Sequence, residues 1–195
     1  MNPQGYLTLN VGNLGAVKIA GKLADGTAVS GSAKLLEGLN KDGWMCVALH
    51  KALYTKAGFI GGLLWLNPAD RLVRVDTTCG WHVDWVKAGA FESALDVVGG
   101  MWTGQSPNLT TFGAVLAGAL DGYTYDGAVP KVTAKTGAFK GTFKLYGNAG
   151  TQGTSANVSY MGVVVPMDKG GFAGFGIGTA TVNRQKVGVP VLLIE

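Results

Sequence analysis

The sequence predicts an all-β protein, either an antiparallel barrel-like fold or a two-sheet sandwich, made from two related strand units with a partly helical insert. Glycine supplies 32 of the 195 residues, which is more than twice its usual share of about 7%. These glycines follow no triplet period, which excludes collagen, and a hydrophobic fraction of 47% excludes a disordered chain. The composition instead indicates many tight turns and glycine-interrupted strands.

The second observation is a nine-residue stretch that occurs twice. Residues 15–23 (GAVKIAGKL) return as residues 137–145 (GAFKGTFKL), with five identical positions at an offset of 122. Both copies place their lysines on one face and mainly apolar residues on the other, which is the pattern of a half-buried antiparallel strand. We therefore predict a single, duplicated β domain, with repeat units over about 5–67 and about 131–195 and an insert over about 68–130.

The first repeat unit reads as a series of hairpins. Besides the repeat strand itself, strands are predicted over residues 6–11, 27–36, 44–49 and 58–66. Asp25-Gly26 predicts a type I′ turn after the repeat strand, because both central residues of that turn need positive φ angles. The strand over residues 58–66 should end before Pro68, since proline cannot donate to a sheet ladder.

The second repeat unit follows the same order. Strands are predicted over residues 140–145, 155–165, 169 onward and 187–194. Lys169–Gly174 echoes Lys56–Gly61 at an offset of 113, and a shorter loop would explain the change from 122. The last strand is apolar on both faces, so we expect it inside the sheet, paired with the N-terminal strand to close a barrel, rather than at an exposed edge.

The insert has no partner in the repeat. Strands are predicted over residues 71–75 and 81–85, while residues 88–98 fit no single pattern. Residues 110–120 carry apolar side chains at helical spacing after a candidate cap at Asn108 or Thr110, which predicts a helix. Functional residues commonly lie on segments grafted onto a rigid scaffold, so we expect them in this insert.

The charges and cysteines exclude several classes of protein. The net charge is +4, but the basic residues are scattered singly, which argues against a nucleic-acid partner. No apolar run approaches the ~18 residues of a transmembrane helix, so membrane insertion is not expected. Cys46 and Cys79 lack a metal-site spacing, and we expect two buried free thiols because a chain of this size needs no disulfide. A single bridge between them is the alternative.

Glycine-rich strand and turn motifs extend over about half of the chain. They are Gly5-Tyr6-Leu7-Thr8-Leu9, the stretch from Gly15 to Thr27, Asp42-Gly43-Trp44, Gly58-Phe59-Ile60-Gly61 and the stretch from Thr136 to Phe143. Together they resemble a repeat-containing β domain of large secreted or surface proteins of planctomycete and verrucomicrobial bacteria. Met45-Cys46 and Gly62-Leu63 depart from the motifs of that family. The resemblance implies a surface location and a non-catalytic role, and it supplies no catalytic residues.

Three tryptophans, Trp81, Trp85 and Trp102, fall within the insert. If their rings are exposed, they offer flat apolar surfaces on which sugar rings can stack. Large aromatic side chains are more often part of a core, and this is the alternative interpretation. The three residues are therefore the candidate ligand-binding residues.

A second group of residues contains the groups that catalysis commonly uses. Cys79, His82 and Asp84 could supply a thiol, a base and a carboxylate. On a strand, however, His82 and Asp84 would share a face while Cys79 points away, and Cys-x-x-His lacks the second ligand pair of a zinc site. No two acidic residues stand in a recognisable glycosidase setting. We expect no catalytic residues, no metal and no cofactor.

Three functions remain open at this stage. The preferred one is a non-catalytic structural or adhesion module of a secreted or cell-surface bacterial protein. The second is a carbohydrate-binding module that uses the insert tryptophans, and the third is a hydrolase with carboxylates assembled from distant strands. The expected partner is a polysaccharide or another surface protein. The first five residues lack the charged start and apolar stretch of a signal peptide, so we expect a fragment of a longer chain.

Overall fold

The structure is a computed structural model that describes residues 5–37, 43–75, 82–147, 155–167, 170–182 and 184–195. These residues form fifteen β-strands, a single 3-10 turn at Gly118–Leu120 and a single left-handed turn at Tyr54–Lys56. The strands belong to two sheets, and the strand pairings with a defined register are antiparallel. The predicted all-β, antiparallel class is thus confirmed.

The first sheet contains nine strands. They are β1 (Tyr6–Val11), β2 (Ala16–Lys22), β3 (Ala28–Glu37), β4 (Met45–Leu53), β5 (Gly58–Asn67), β6 (Leu72–Arg74), β7 (Val83–Lys87), β8 (Phe91–Leu95) and β9 (Val98–Gly100). Their order is β1-β2-β3-β4-β5-β6-β9, and β7 and β8 branch from β5. Strands of the insert therefore extend the sheet that the first repeat unit begins.

The second sheet contains six strands. They are β10 (Thr111–Ala114), β11 (Thr124–Asp126), β12 (Ala138–Tyr146), β13 (Ser155–Pro166), β14 (Phe172–Val182) and β15 (Gln185–Ile194). Their order is β10-β15-β14-β13-β12-β11. The two edge strands, β10 and β11, both come from the insert.

The chain divides into two compact units. One comprises Met1–Leu7, Gly21–Ala28 and Trp102–Glu195, and we call it the barrel unit. The other comprises Thr8–Ala20 and Val29–Met101, and we call it the open-sheet unit. Both units therefore combine residues from more than one of the segments that the repeat defines.

The six-stranded sheet curls until its two edges come close together. Phe112 lies on β10 and Tyr125 on β11, and their ring centroids are 5.9 Å apart in an edge-to-face arrangement. Both rings also contact Phe143 on β12. The sheet is thus a nearly closed barrel whose open seam is bridged by aromatic side chains.

Glycines on the central strands make room for an aromatic ring inside this barrel. Phe139 on β12 pairs with Gly162 on β13, which pairs with Gly176 on β14. A Cβ atom added at Gly162 would lie 2.5 Å from the Phe139 ring, and one at Gly176 would lie 3.0 Å from it. Phe139 itself is 2% exposed. Part of the glycine excess is therefore explained by rings that lie across neighbouring strands.

The two copies of the repeat have the same local structure. Gly15 and Gly137 both adopt left-handed φ angles, +71° and +67°, which glycine accepts without steric cost. The carbonyl of Gly15 accepts a hydrogen bond from Leu35 N at 2.7 Å, and that of Gly137 accepts one from Val164 N at 2.9 Å. In both copies the lysines lie on the outer face and the apolar side chains are buried, as the sequence predicts.

The change of offset from 122 to 113 comes from a difference in the number of strands and not from a shorter loop. Two strands, β3 and β4, separate β2 from β5, whereas β13 alone separates β12 from β14. Because each antiparallel step reverses the chain, β5 and β14 have opposite directions relative to their repeat strands. The similarity of Lys56–Gly61 and Lys169–Gly174 is therefore not matched by equivalent positions in the two sheets.

The predicted helix over residues 110–120 is wrong. Residues 111–114 form β10 and pair with β15, and only Gly118–Leu120 makes a single 3-10 turn. Phe112 and Ala114 face β15 in register with Leu193 and Val191. Glycine and β-branched residues weaken the local preference for a helix, so pairing with an exposed strand edge prevails. The described residues of the insert form strands and one 3-10 turn, joined by irregular segments.

The C-terminal strand is integral to the sheet, but its predicted partner is wrong. Strand β15 pairs with β14 over ten residues and with β10 over four, so both of its edges are used. Strand β1 lies instead at the edge of the other sheet, beside β2. Val189, Val191 and Leu193 of β15 are at most 1% exposed, and they belong to the core of the barrel unit.

This burial predicts unequal effects of two neighbouring substitutions on β15. Leu193 is 0% exposed and Ile194 is 45% exposed. Leu193→Ala should lower the free energy of unfolding by about 2–5 kcal/mol, because it removes buried methyl groups and leaves a cavity. Ile194→Ala should cost less than about 1 kcal/mol. Denaturant unfolding of both variants measures the difference, and equal losses would contradict the assigned faces of β15.

Candidate functional site

A cleft of about 210 Å³ lies in the barrel unit, at one end of the open seam. It is lined by the segment before β10 and the segment after β11: Gln105, Ser106, Pro107, Asn108, Leu109, Val129, Pro130, Val132 and Ala134. Because β10 and β11 run in opposite directions, the start of one and the end of the other meet at the same end of the barrel. The cleft therefore arises where no strand bridges the two edges.

Trp102 is fixed next to this cleft. Its indole Nε1–H donates a 2.7 Å hydrogen bond to the carbonyl oxygen of Ala134, which lines the cleft. A Cβ atom at Gly137 would lie 2.7 Å from the indole ring, so the ring packs directly against that glycine. Phe172 contacts the ring edge-to-face at a centroid distance of 6.1 Å. Trp102 remains partly exposed, with its position set by three neighbours.

The carboxylate of Glu195 ties the first cleft segment to the sheet. Its Oε1 accepts a hydrogen bond from the backbone N–H of Asn108 at 3.3 Å, and its Oε2 accepts one from the N–H of Phe172 at 2.9 Å. Thr110 N also donates to the carbonyl of Ile194 at 2.9 Å. These bonds hold residues 108–110 beside β15, so this wall of the cleft is anchored.

The other two candidate tryptophans have different positions. Trp85 lies on β7 of the open-sheet unit and is 9% exposed, with its Nε1–H donating to the hydroxyl of Tyr54 at 2.8 Å. So small an exposed fraction leaves no ring face on which a sugar could stack. Trp81 lies outside the described residues. Of the three predicted positions, Trp102 is the one bonded to a residue that lines the cleft, and it also packs against the core of the barrel unit.

The turn between β4 and β5 has an unusual backbone. Tyr54, Thr55 and Lys56 have φ angles of 53°, 55° and 71°, so three consecutive residues other than glycine are left-handed. Each such residue costs roughly 1–2 kcal/mol, and strain of this kind is found preferentially at functional sites. The Tyr54 ring lies under the ammonium of Lys87, whose Nζ is 4.8 Å from the ring centroid.

His82 and Asp84 do share a face, as predicted. Nε2 of His82 is 2.8 Å from Oδ1 of Asp84, and the two side chains are 44% and 38% exposed. Asp84 is in register with Gly61, and Gly61 with His50. The described residues contain no group of three or more His, Cys, Asp or Glu side chains that could hold a metal ion.

Cys46 is a buried free thiol, and burial raises its pKa. Cys79 lies outside the described residues, so the expectation for that thiol and for a bridge remains a prediction. Within the described part of the chain, no helix is sufficiently long and apolar to cross a membrane.

The sequence did not identify the residues that line the cleft. Two of them, Pro107 and Pro130, indicate irregular segments. They did not indicate that these two segments lie next to each other in the fold. The two segments are separated by β10, β11 and the turn between them, and only the curling of the sheet brings their ends together. Trp102 was identified because tryptophan is rare and concentrated in the insert.

Comparisons of the chain with protein-family models, curated proteins and solved structures found no match in any of the three. The resemblance to bacterial surface domains therefore remains a prediction that rests on the quoted motifs.

The strained turn predicts a stabilising substitution. Thr55→Gly should raise the free energy of unfolding by up to about 1 kcal/mol, because relief of the left-handed strain exceeds the entropic cost of glycine. Thr142→Gly on β12 is the matched control and should lower the same quantity by about 0.5–1 kcal/mol. Equal destabilisation by both substitutions, measured by denaturant unfolding, would show that Thr55 carries no strain.

The buried thiol predicts a reactivity that depends on folding. In a Cys79→Ser variant at pH 8, Cys46 should react with a disulfide reagent at least about tenfold more slowly in the folded protein than in guanidinium. A raised pKa leaves less thiolate at a given pH, and burial blocks access. Reaction at the same rate in both states, followed by absorbance, would contradict this position of Cys46.

Proposed function

We propose that this chain is a non-catalytic adhesion module of a secreted or cell-surface bacterial protein and that it binds polysaccharide at the cleft beside Trp102. The observation that supports the proposal most is the partly exposed indole of Trp102, which packs on Gly137 and donates to Ala134, a residue that lines the cleft of about 210 Å³. A ring whose orientation is fixed before binding loses little conformational freedom when a sugar stacks on it.

The chemistry of the cleft fits an uncharged ligand. None of its nine lining residues has an ionisable side chain. Ser106 and Asn108 offer a hydroxyl and an amide that can donate to and accept from sugar hydroxyls, whereas the amide of Gln105 is bonded to Thr103. Proline and valine side chains supply apolar contacts for the faces of a sugar ring.

The size of the cleft favours a polymer over a small free ligand. Pockets that enclose drug-sized molecules usually have volumes of about 300–1,000 Å³, and this cleft is smaller. It suits one sugar unit of a chain that crosses the surface and contacts the protein at several points. Attachment to a polysaccharide is the expected role of an adhesion module.

Affinity electrophoresis through gels that contain xylan, mannan or hydroxyethyl cellulose tests this proposal. At least one of these neutral polysaccharides should retard the protein, and Trp102→Ala should weaken the binding about thirtyfold, as is typical of an aromatic hot spot. Gly137→Ala should weaken it as well, because the added methyl group displaces the ring. Ser106→Arg should do so by filling the cleft.

Tyr146→Ala is the matched control for these variants. Tyr146 is an exposed aromatic residue of the same unit, 38% accessible, at the opposite end of β12 and roughly 25 Å from its start. It should leave retardation unchanged. No retardation by any of the polymers, or equal loss in the Tyr146 and cleft variants at unchanged melting temperature, would refute the proposal. Release of new reducing ends from a polymer would refute its non-catalytic part.

A further inference from the structure

We propose that three lysines of the open-sheet unit, Lys51, Lys56 and Lys87, form a second binding site, which takes an anionic polysaccharide. These residues lie on β4, on the strained turn and on β7. In the sequence they are single charges among apolar residues. We call the three residues the lysine cluster.

The register of the sheet places Lys51 and Lys87 on one face. Lys51 pairs with Ile60, which pairs with Trp85, and Lys87 lies two residues further along β7. Directly paired residues share a face, as do residues two apart on one strand. Ile60 and Trp85, which lie between them on that face, are only 1% and 9% exposed, whereas Lys51 is exposed and Lys87 partly exposed. The two lysines therefore flank a covered apolar strip. Two strand spacings and two residue rises separate their Cα atoms by roughly 12 Å, a distance that long side chains can span above that strip.

Backbone pairing places Lys56 beside Lys87. The carbonyl oxygen of Ala57 accepts a hydrogen bond from the N–H of Ala88 at 2.7 Å, so the residues that follow the two lysines are bonded to each other. Lys56 is exposed. The ammonium of Lys87 lies over the ring of Tyr54, two residues before Lys56.

The left-handed turn gives the cluster a fixed geometry. Trp85 holds the Tyr54 hydroxyl through a 2.8 Å hydrogen bond, and the backbone from Tyr54 to Lys56 stays in a conformation that side chains disfavour. Such strain persists only where surrounding contacts impose it. Here those contacts position Lys56 and Lys87 together, although like charges repel.

The nearest acidic residues along these strands lie on the other face. Lys87 on β7 pairs with Phe91 on β8, so these two side chains share one face of the sheet. Asp84 and Glu92 are an odd number of residues away from Lys87 and Phe91 on the same strands, so they lie on the opposite face. Asp84 instead binds His82. The positive potential of the cluster is therefore not neutralised from its own face of β7 or β8. Phe91, 37% exposed, adds an apolar surface beside Lys87.

Anionic polysaccharide fits these features better than nucleic acid does. Base stacking needs an open aromatic face, whereas one face of Tyr54 is covered by Lys87 and Phe91 stands edge-to-face against Trp85 at 4.6 Å. Three lysines without an arginine are also few for a phosphate backbone. The choice of a polysaccharide rests on the proposed adhesion role, while the anionic chemistry rests on the lysine cluster alone.

The test compares two triple variants that change the net charge equally. Lys51→Gln, Lys56→Gln and Lys87→Gln remove the cluster, and Lys18→Gln, Lys140→Gln and Lys144→Gln remove three exposed lysines of the repeat strands. Binding is measured to polygalacturonate, dextran sulfate, neutral dextran, a DNA duplex and phosphatidylserine vesicles. Melting temperatures confirm that every variant is folded.

The full protein should bind polygalacturonate or dextran sulfate but not dextran, and added salt should weaken the binding. The triple variant without the cluster should bind about tenfold more weakly, because it loses three partly exposed ion pairs between lysines and the polymer. The control triple variant should change the affinity less than about twofold. Which of the two polymers binds identifies carboxylate or sulfate as the recognised group.

Several results would overturn the proposal. They are the absence of binding to both anionic polysaccharides, equal losses in the two triple variants, and tighter binding to DNA or to vesicles. Trp102→Ala should leave this binding unchanged, so failure of the neutral cleft and failure of the lysine cluster are separate outcomes. Lys56→Glu, a single exposed change, should weaken binding further than Lys56→Gln by charge repulsion.

Discussion

Aromatic rings that lie across glycines of neighbouring strands are the constraint on which the barrel unit depends. A six-stranded sheet that curls nearly shut has little interior volume, so side chains of ordinary size cannot project inward from every strand. Phe139 occupies the space over Gly162 and Gly176, and Tyr160 occupies the space over its partner Gly141. The glycines allow tight curvature, and the rings restore the buried apolar surface that the glycines lack.

The same curvature explains where the cleft lies. The edge strands β10 and β11 come close enough for Phe112 and Tyr125 to touch, yet they are too short to complete the barrel with backbone bonds. Their ends leave two irregular segments side by side, anchored on one side by Glu195 and on the other by the Ala134 contact to Trp102. The cleft therefore needs no dedicated element, because incomplete closure of the barrel provides it.

The open-sheet unit uses a different device. Its left-handed turn carries backbone strain that glycine would not have. Two hydrogen bonds maintain the turn, one from Trp85 to the Tyr54 hydroxyl and one from Ala88 N to the Ala57 carbonyl. The hydrogen bond between Ala88 N and the Ala57 carbonyl places Lys56 on the turn beside Lys87 on β7.

The sequence by itself determined the β class and the faces of the repeat strands, because alternation is a local property. The type I′ turn predicted at Asp25-Gly26 is wrong, since Gly26 has a positive φ angle and Asp25 does not. The sequence could not determine that residues 110–120 pair with β15, since helical spacing and strand pairing compete and the partner strand lies some eighty residues away. For the same reason the sequence could not tell that Trp85 is buried and Trp102 partly exposed, because the exposure of each ring depends on neighbours distant in sequence. Tertiary structure alone decided the cleft and the lysine cluster, because both arise from the register and curvature of whole sheets.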